Sequence, residues 1–304
     1  MLALLLFIVM INDIGFESQQ NNVGELVTCK RNLKKANEIH LKFVDDLTLA
    51  ESINLQEQLV KVNGNFVLPV QNSKVNKKLD QIKNQANENQ MKVNLKKTKI
   101  MVFNPCKSLE FKPEISLDGN KLETVDEMKL LGLSIRSDMK WNSNTSNMVK
   151  KASKRLWILR RLKQLGATTH NLVEVYTKQI RCILELAAPA WQGGISQSEK
   201  QDLERVQKCA AHIILGNVYT SYKNALETLN LDSLEVRRMN LALKFAVKAE
   251  KHQKFNAWFK PTKKTMNTRT KLPKYCEVRA NSVRFAKSPI SFLTKLLNLH
   301  YKKG

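Results

Sequence analysis

Phe43-Val44-Asp45-Asp46-Leu47-Thr48-Leu49 is the stretch on which the reading of this chain turns. With Leu41 before it, an apolar and β-branched run is interrupted by two adjacent carboxylates. That pattern describes two short strands joined by a tight turn. Side chains alternate faces along a strand, so a turn at Asp45-Asp46 sets carboxylate oxygens at the tip of a hairpin. Such oxygens are hard ligands suited to Mg²⁺, and a pair of Mg²⁺ ions can clamp the attacking and leaving oxygens of a phosphoryl transfer. Asp-Asp is also ordinary turn composition, and taken alone the pair is more simply a solvated loop.

Composition narrows the choice. The chain has 304 residues, enough for two ordinary domains, and 42% of them are hydrophobic, which supports a sizeable core. Lys and Arg number 51 against 27 Asp and Glu, a net charge of +24. A chain this basic most often meets a polyanion; a merely solubilising surface is the plainer alternative. Residues 1–50 hold five basic and six acidic side chains, so all of the excess positive charge lies downstream of Asp45-Asp46. Five widely spaced cysteines (Cys29, Cys106, Cys182, Cys209 and Cys276) argue against a disulfide framework and for a reducing compartment. Cys209 and His212 are too few ligands for zinc, and Cys209 reads as a buried thiol. Met1–Ile11 is almost wholly apolar, yet it lacks a basic leader and a small-residue cleavage site and is too short to span a bilayer. It reads as a core helix and not a signal peptide, which leaves no membrane partner and an intracellular location, nucleus or cytoplasm.

Two textures run along the chain. Up to about residue 140, strands and helices mix. Val75, Leu79, Ile82 and Ala86 share one face of a helix expected over 69–91. Residues 99–103 read as a strand, and Asp118-Gly119 as a hairpin turn leading to an extended segment at 130–135. Beyond that point the apolar period is three and four. Val149, Ala152, Leu156, Leu159 and Leu162 mark a long helix with Gly166 as its stop. Further helices are expected over 169–187, 197–215, 221–229, 234–251 and 289–300. Residues 260–285 are basic and weakly periodic, with Pro261 and Pro273, and read as a mobile tail. The expected fold class is therefore α+β followed by an all-α region, with a boundary at 140–145.

Phe43–Leu49 resembles the metal-binding hairpin of reverse transcriptases, and more of the chain falls into the order seen in the jockey-like, non-LTR retrotransposon branch of that family. Leu5–Ile14 looks like the apolar helix that precedes the Asp-Asp hairpin. Asn94–Phe103 looks like the next palm element. Leu130-Leu131-Gly132-Leu133-Ser134-Ile135, with Lys140-Trp141-Asn142 behind it, looks like the primer-gripping hairpin and the exit from the palm. Lys154-Arg155-Leu156-Trp157, Ile180-Arg181, Leu184–Trp191 and Leu203–Lys208 are similar to the helices after the palm, and Ser288-Pro289-Ile290 is also similar to these elements. The ordered set covers nearly the whole chain.

The resemblance implies a truncated palm over 1–140, built on an antiparallel sheet with helices. It implies a helical, thumb-like region over 141–259 and a basic, weakly structured tail over 260–304. It makes Asp45 a direct Mg²⁺ ligand and Asp46 its supporting carboxylate, the two catalytic residues of template-directed nucleotidyl transfer. It brings Lys97 or Lys99 towards an incoming triphosphate, although a surface lysine is the simpler description of each. It gives Leu131-Gly132 to the primer grip, with a close-packing glycine as the equal alternative. The family's other catalytic aspartate and its Gln-Gly segment would fall upstream of Met1, so the chain is expected to be inactive alone. The partners implied are an RNA template and DNA primer, or an RNA/DNA duplex. The alternative is a non-enzymatic basic remnant that binds RNA or DNA.

That alternative rests on Lys150, Lys151, Lys154, Arg155, Arg160, Arg161 and Lys163, seven cations in fourteen residues with no acid among them. Solvated helix faces usually mix charge signs, so this surface is read as a nucleic-acid track. Trp157 lies beside it and could stack on a base. Core packing is the primary expectation for it, as for Trp141, Trp191 and Trp258.

Overall fold

The computed structural model describes residues 3–9, 16–17, 28–29, 38–43, 46–52, 60–62, 65–68, 74–90, 93–103, 111–113, 115–253, 255–262, 273–277 and 283–303. Over these the protein mixes helix and sheet, mostly helix with small sheets. The chain divides into two compact units. One comprises Met1–Met128 with Arg136–Met139, the other Lys129–Ile135 with Lys140–Gly304.

The first unit carries β1 (Ala3–Val9), β2 (Phe16–Glu17), β3 (Thr28–Cys29), β4 (Glu38–Phe43), β5 (Asp46–Ser52), β6 (Val60–Val62), β7 (Asn65–Leu68), α1 (Lys74–Glu88), β8 (Lys99–Phe103), β9 (Phe111–Pro113), β10 (Ser116–Leu117), β11 (Asn120–Lys121) and β12 (Glu123–Thr124). Its main sheet has the order β12-β8-β1-β5-β4. The β12/β8, β8/β1 and β1/β5 pairs are parallel, and only β5/β4 is antiparallel.

Two expectations are corrected here. The run expected to form a helix over Leu5–Ile14 is a strand as far as Val9, and residues 10–14 lie outside the described set. The sequence Ala-Leu-Leu-Leu-Phe-Ile-Val has no period, so nothing in it marks a helix face. A strand paired on both edges within a parallel sheet takes such an unbroken apolar run. The sheet is also not the antiparallel one implied for a palm. Parallel neighbours need a crossover, and α1 lies in the connection that carries the chain from β5 to β8.

The hairpin reading of 38–52 holds for the backbone. The β4/β5 ladder runs from Glu38 opposite Glu51 to Phe43 opposite Asp46. Helix α1 buries Val75, Leu79 and Ala86 and packs against β5 and β10, as its spacing predicts. Ile100 and Met101 of β8 are fully buried. The β10/β11 hairpin turns at Asp118 (φ 54°) and Gly119 (φ 72°), the paired left-handed conformation of a two-residue turn that Asp-Gly favours.

β13 (Glu127–Leu130) and β14 (Leu133–Arg136) form a two-stranded hairpin. In the second unit α2 (Asn142–Gln164) follows. Next, α3 (Thr169–Val175) runs through a π turn at Tyr176–Arg181 into α4 (Cys182–Glu185), where the sequence suggests one plain helix. The remaining helices are α5 (Ala188–Trp191), α6 (Gln197–Leu215), α7 (Tyr222–Thr228), α8 (Leu234–Lys251), α9 (Val283–Ala286) and α10 (Pro289–Lys303). Helix α2 packs along α6. Its Ala152, Leu156 and Leu159 join Leu172, Tyr176, Ile180, Leu184, Trp191 and Leu203 in the main core. Each such Leu removed from water contributes about 1.5–3 kcal/mol.

A smaller core sits between α8 and α10. Ala242, Ala246 and Ala249 present a low surface, and Leu293 and Leu297 close against it with Phe259 and Tyr275. Part of the stretch read as a weakly structured tail is therefore packed. Tyr275 bridges to Pro261 and exchanges backbone bonds with the side chain of Asn298, its N–H donating at 2.9 Å and its carbonyl accepting at 2.9 Å. The period was weak because turns and bridges, not helix, carry Tyr275 into that core.

Candidate nucleic-acid interface

Helix α2 runs 23 residues from Asn142 to Gln164, with Trp141 in the N-cap position. The buried Asn144 accepts from the Ser134 N–H at 3.1 Å, and Asn147 donates to the Ser134 hydroxyl at 3.0 Å, which ties α2 to β14. Because Asn144 is buried, the sequon Asn144-Thr145-Ser146 presents no surface amide. The buried face is Met148, Ala152, Leu156 and Leu159.

Lys150, Lys154, Trp157 and Arg161 are spaced four, three and four apart, so they form one stripe along the helix. At about 100° per residue that stripe lies directly opposite the buried face. All four are exposed. Lys151 and Arg160, also exposed, flank the stripe on opposite sides. No Asp or Glu occurs between Asp138 and Glu174, so no acid on this helix neutralises the surface. Like charges at Lys150 and Lys154 repel across one turn, a cost that a bound phosphate removes.

The structure separates the seven cations. Lys163 points inward, its Nζ donating to the Ile213 and Ile214 carbonyls at 2.7 and 3.1 Å. Arg155 is exposed, but its Nη1 donates to the Gln179 carbonyl in the π turn at 2.6 Å. Lys150, Lys151, Lys154, Arg160 and Arg161 remain open to solvent. Trp157 corrects the expectation of core packing, since it is 61% exposed. The helical phase of its own sequence carries the signal: the apolar residues centre on the far side of the helix. Trp191 is fully buried as expected, and Trp141 and Trp258 are partly buried against the cores.

The other candidate residues are scattered. Asp45 lies outside the described residues. Asp46 opens β5, opposite Phe43 and beside Ala3, so it is a strand residue. Among the described residues, no group of three or more His, Cys, Asp or Glu converges as a metal site. They supply no carboxylate set that fits Mg²⁺. Lys99 opens β8 and is ion-paired with Glu123 on the neighbouring strand β12, while Lys97 sits exposed in the preceding turn. Leu131 (φ 47°) and Gly132 (φ 87°) are the two turn residues of the β13/β14 hairpin, both left-handed, which accounts for the glycine. Cys209 is exposed, not buried, and His212 packs against Tyr219 with ring centres 5.0 Å apart and planes tilted by 59°.

Two buried polar features escape the sequence reading. Tyr176 OH donates to Gln207 Oε1 at 2.5 Å, and Gln207 Nε2 donates to Tyr222 OH and to the Asp232 carbonyl, both at 2.9 Å. Tyr222 OH in turn donates to Glu204, which also accepts from the Leu234 N–H at 3.2 Å. Burial, helped by the Glu204 carboxylate, pushes the Tyr222 phenol well above its usual range, so it remains a donor at neutral pH. Arg238 is the second feature. It is fully buried, donates from Nε to Gln192 Oε1 at 2.8 Å and stands 5.7 Å from the Trp191 ring centre. Its Nη1 and Nη2 make no hydrogen bond among the described residues. The legible signal in each case is a polar residue in an apolar register: Gln207 four after Leu203, and Arg238 between Leu234 and Ala242.

No family model matches this chain, and neither a curated protein nor a solved structure matches it.

Proposed function

We propose that this chain belongs to the RNA-directed DNA polymerase of a non-LTR retrotransposon and that its working surface is a nucleic-acid grip on α2. The ordered sequence resemblance supports the polymerase descent. The observation that carries the binding function is the exposed, acid-free stripe of Lys150, Lys154 and Arg161 opposite the buried face of α2. The ligand is the sugar-phosphate backbone of RNA, DNA or an RNA/DNA hybrid, in the nucleus or cytoplasm. Among the described residues, no helix is long and apolar enough to cross a membrane.

The test is the affinity of the full chain for RNA, DNA and hybrid oligonucleotides as a function of salt. Log affinity should fall linearly with log salt, and charge reversal at Lys150, Lys154 and Arg161 together should flatten the slope by about 2–3. Asp45→Ala should leave binding unchanged. A chain with no salt-dependent affinity for any of the three ligands would overturn the reading.

A further inference from the structure

The residue that the charge pattern does not explain is Trp157. An exposed indole in the middle of a basic stripe gains nothing from the fold. It belongs to neither core, and among the described residues no other ring and no cation stands against its face. Trp157 follows Lys154 by three residues and precedes Arg161 by four. At 1.5 Å of rise per residue, the two cations lie about 4.5 and 6 Å from it along the helix axis, on either side. The site is a flat, open aromatic face bracketed by two positive charges.

From this we infer that the α2 surface takes single-stranded nucleic acid, with one base stacked on Trp157 while Lys154 and Arg161 hold phosphates on either side. This rests on the nucleic-acid reading above and sharpens it. In a duplex each base is already stacked on its neighbours and offers only an edge in a groove, so an indole on a convex helix has nothing to stack on. In a single strand every base has a free face. Stacking on an aromatic side chain then adds affinity with little regard to sequence, beside the backbone charge contacts. A merely electrostatic grip would need the cations alone.

The experiment measures binding of the full chain to a short labelled single-stranded RNA and to the same sequence as a duplex, across a salt series. It uses the wild type, Trp157→Ala, Trp157→Phe and the triple charge reversal. The wild type should prefer the single strand. Trp157→Ala should weaken single-strand binding by about 5- to 100-fold, leaving duplex affinity and the salt slope as they were, and Trp157→Phe should retain most of the affinity. The triple charge reversal should lower affinity for both ligands and flatten the slope by about 2 on the single strand. Because Trp157 belongs to neither core, the thermal midpoint of Trp157→Ala should stay close to that of the wild type. If Trp157→Ala binds the single strand as the wild type does, or loses equally on both ligands, stacking is wrong while the electrostatic grip stands. If the wild type binds neither ligand in a salt-dependent way, the underlying reading itself fails.

Discussion

The ammonium of Lys163 sits 2.7 Å from the carbonyl oxygen of Ile213 and 3.1 Å from that of Ile214, so the last turn of α2 supplies the C-terminal cap of α6. Those carbonyls have no intrahelical partner, and the helix dipole places partial negative charge on them. Gly216 follows at φ 61°, and a Cβ there would stand 2.5 Å from the Lys163 Nζ. Lys163→Met should cost about 1 kcal/mol, measured by urea unfolding, and should leave nucleic-acid affinity nearly unchanged. Lys154→Met should show the reverse pattern.

Arg238 yields a prediction of opposite sign. A buried guanidinium with one hydrogen bond and two unpartnered nitrogens is poorly compensated, and burial lowers its pKa. Arg238→Met keeps the volume and removes the orphan charge, so the unfolding midpoint should stay level or rise. Gln192→Leu removes the remaining acceptor while the charge stays, and should cost about 3 kcal/mol. A large loss in Arg238→Met would show that the guanidinium contributes a net stabilisation.

The C-terminal core should report on pH. Glu250 accepts from Lys274 Nζ at 2.8 Å, from Tyr301 OH at 2.6 Å and from Tyr275 OH. Burial pushes its carboxyl up, but these three donors outweigh burial and hold it below the usual 4.5. A depressed carboxyl contributes stability above its unfolded value and loses it as pH falls through the folded one. The difference in thermal midpoint between wild type and Glu250→Gln should therefore be full at pH 7 and shrink below pH 4.5. Burial and the Glu250 carboxylate push Tyr275 up to about 12 from 10.0. Its contribution is full below pH 10.0 and should fade between there and about pH 12, an effect absent in Tyr275→Phe.

Close approach at Gly194 gives a steric test. A Cβ there would stand 2.5 Å from Trp141 Cδ1 and 2.7 Å from its Nε1, and Trp141 is the N-cap residue of α2. Gly194→Ala should cost about 1–3 kcal/mol and shift the tryptophan emission. An unchanged midpoint would mean that the indole can move aside.

The helical half is legible in the sequence because its period and its punctuation agree. The stripe from Ala152 to Leu159 marks α2, Gly166 with φ 82° follows its end, and Ser196 with Glu199 forms a reciprocal capping box at the start of α6. The mixed half is legible only where turn chemistry is explicit, as at Asp118-Gly119. β1 is hidden because an apolar run without alternation fits a buried helix and a central strand equally. Of the candidate interface, the cations are visible in the sequence but not their partners. That Lys163 turns inward to α6 depends on a helix fifty residues away. The exposure of Trp157 is encoded by its phase, although residue type argues for burial.

The π turn at Tyr176–Arg181 carries one more consequence. Leu172, Tyr176, Ile180 and Leu184 are all buried and each is four residues from the next. In a plain α-helix a four-residue step overshoots one turn by about 40°, so three steps would rotate Leu184 by about 120° from Leu172. The wider turn, with fewer degrees per residue, takes back part of that drift along a run whose four apolar side chains are all buried. It acts as a phase corrector between two helical segments. It lets Glu185, one residue past Leu184, meet the Arg237 guanidinium, whose Nη2 donates to Oε2 at 3.2 Å. Deleting one residue of 177–180 would restore a plain α-helix in which steps of four, three and four leave Leu184 only about 20° from Leu172, so the buried side survives without the wide turn.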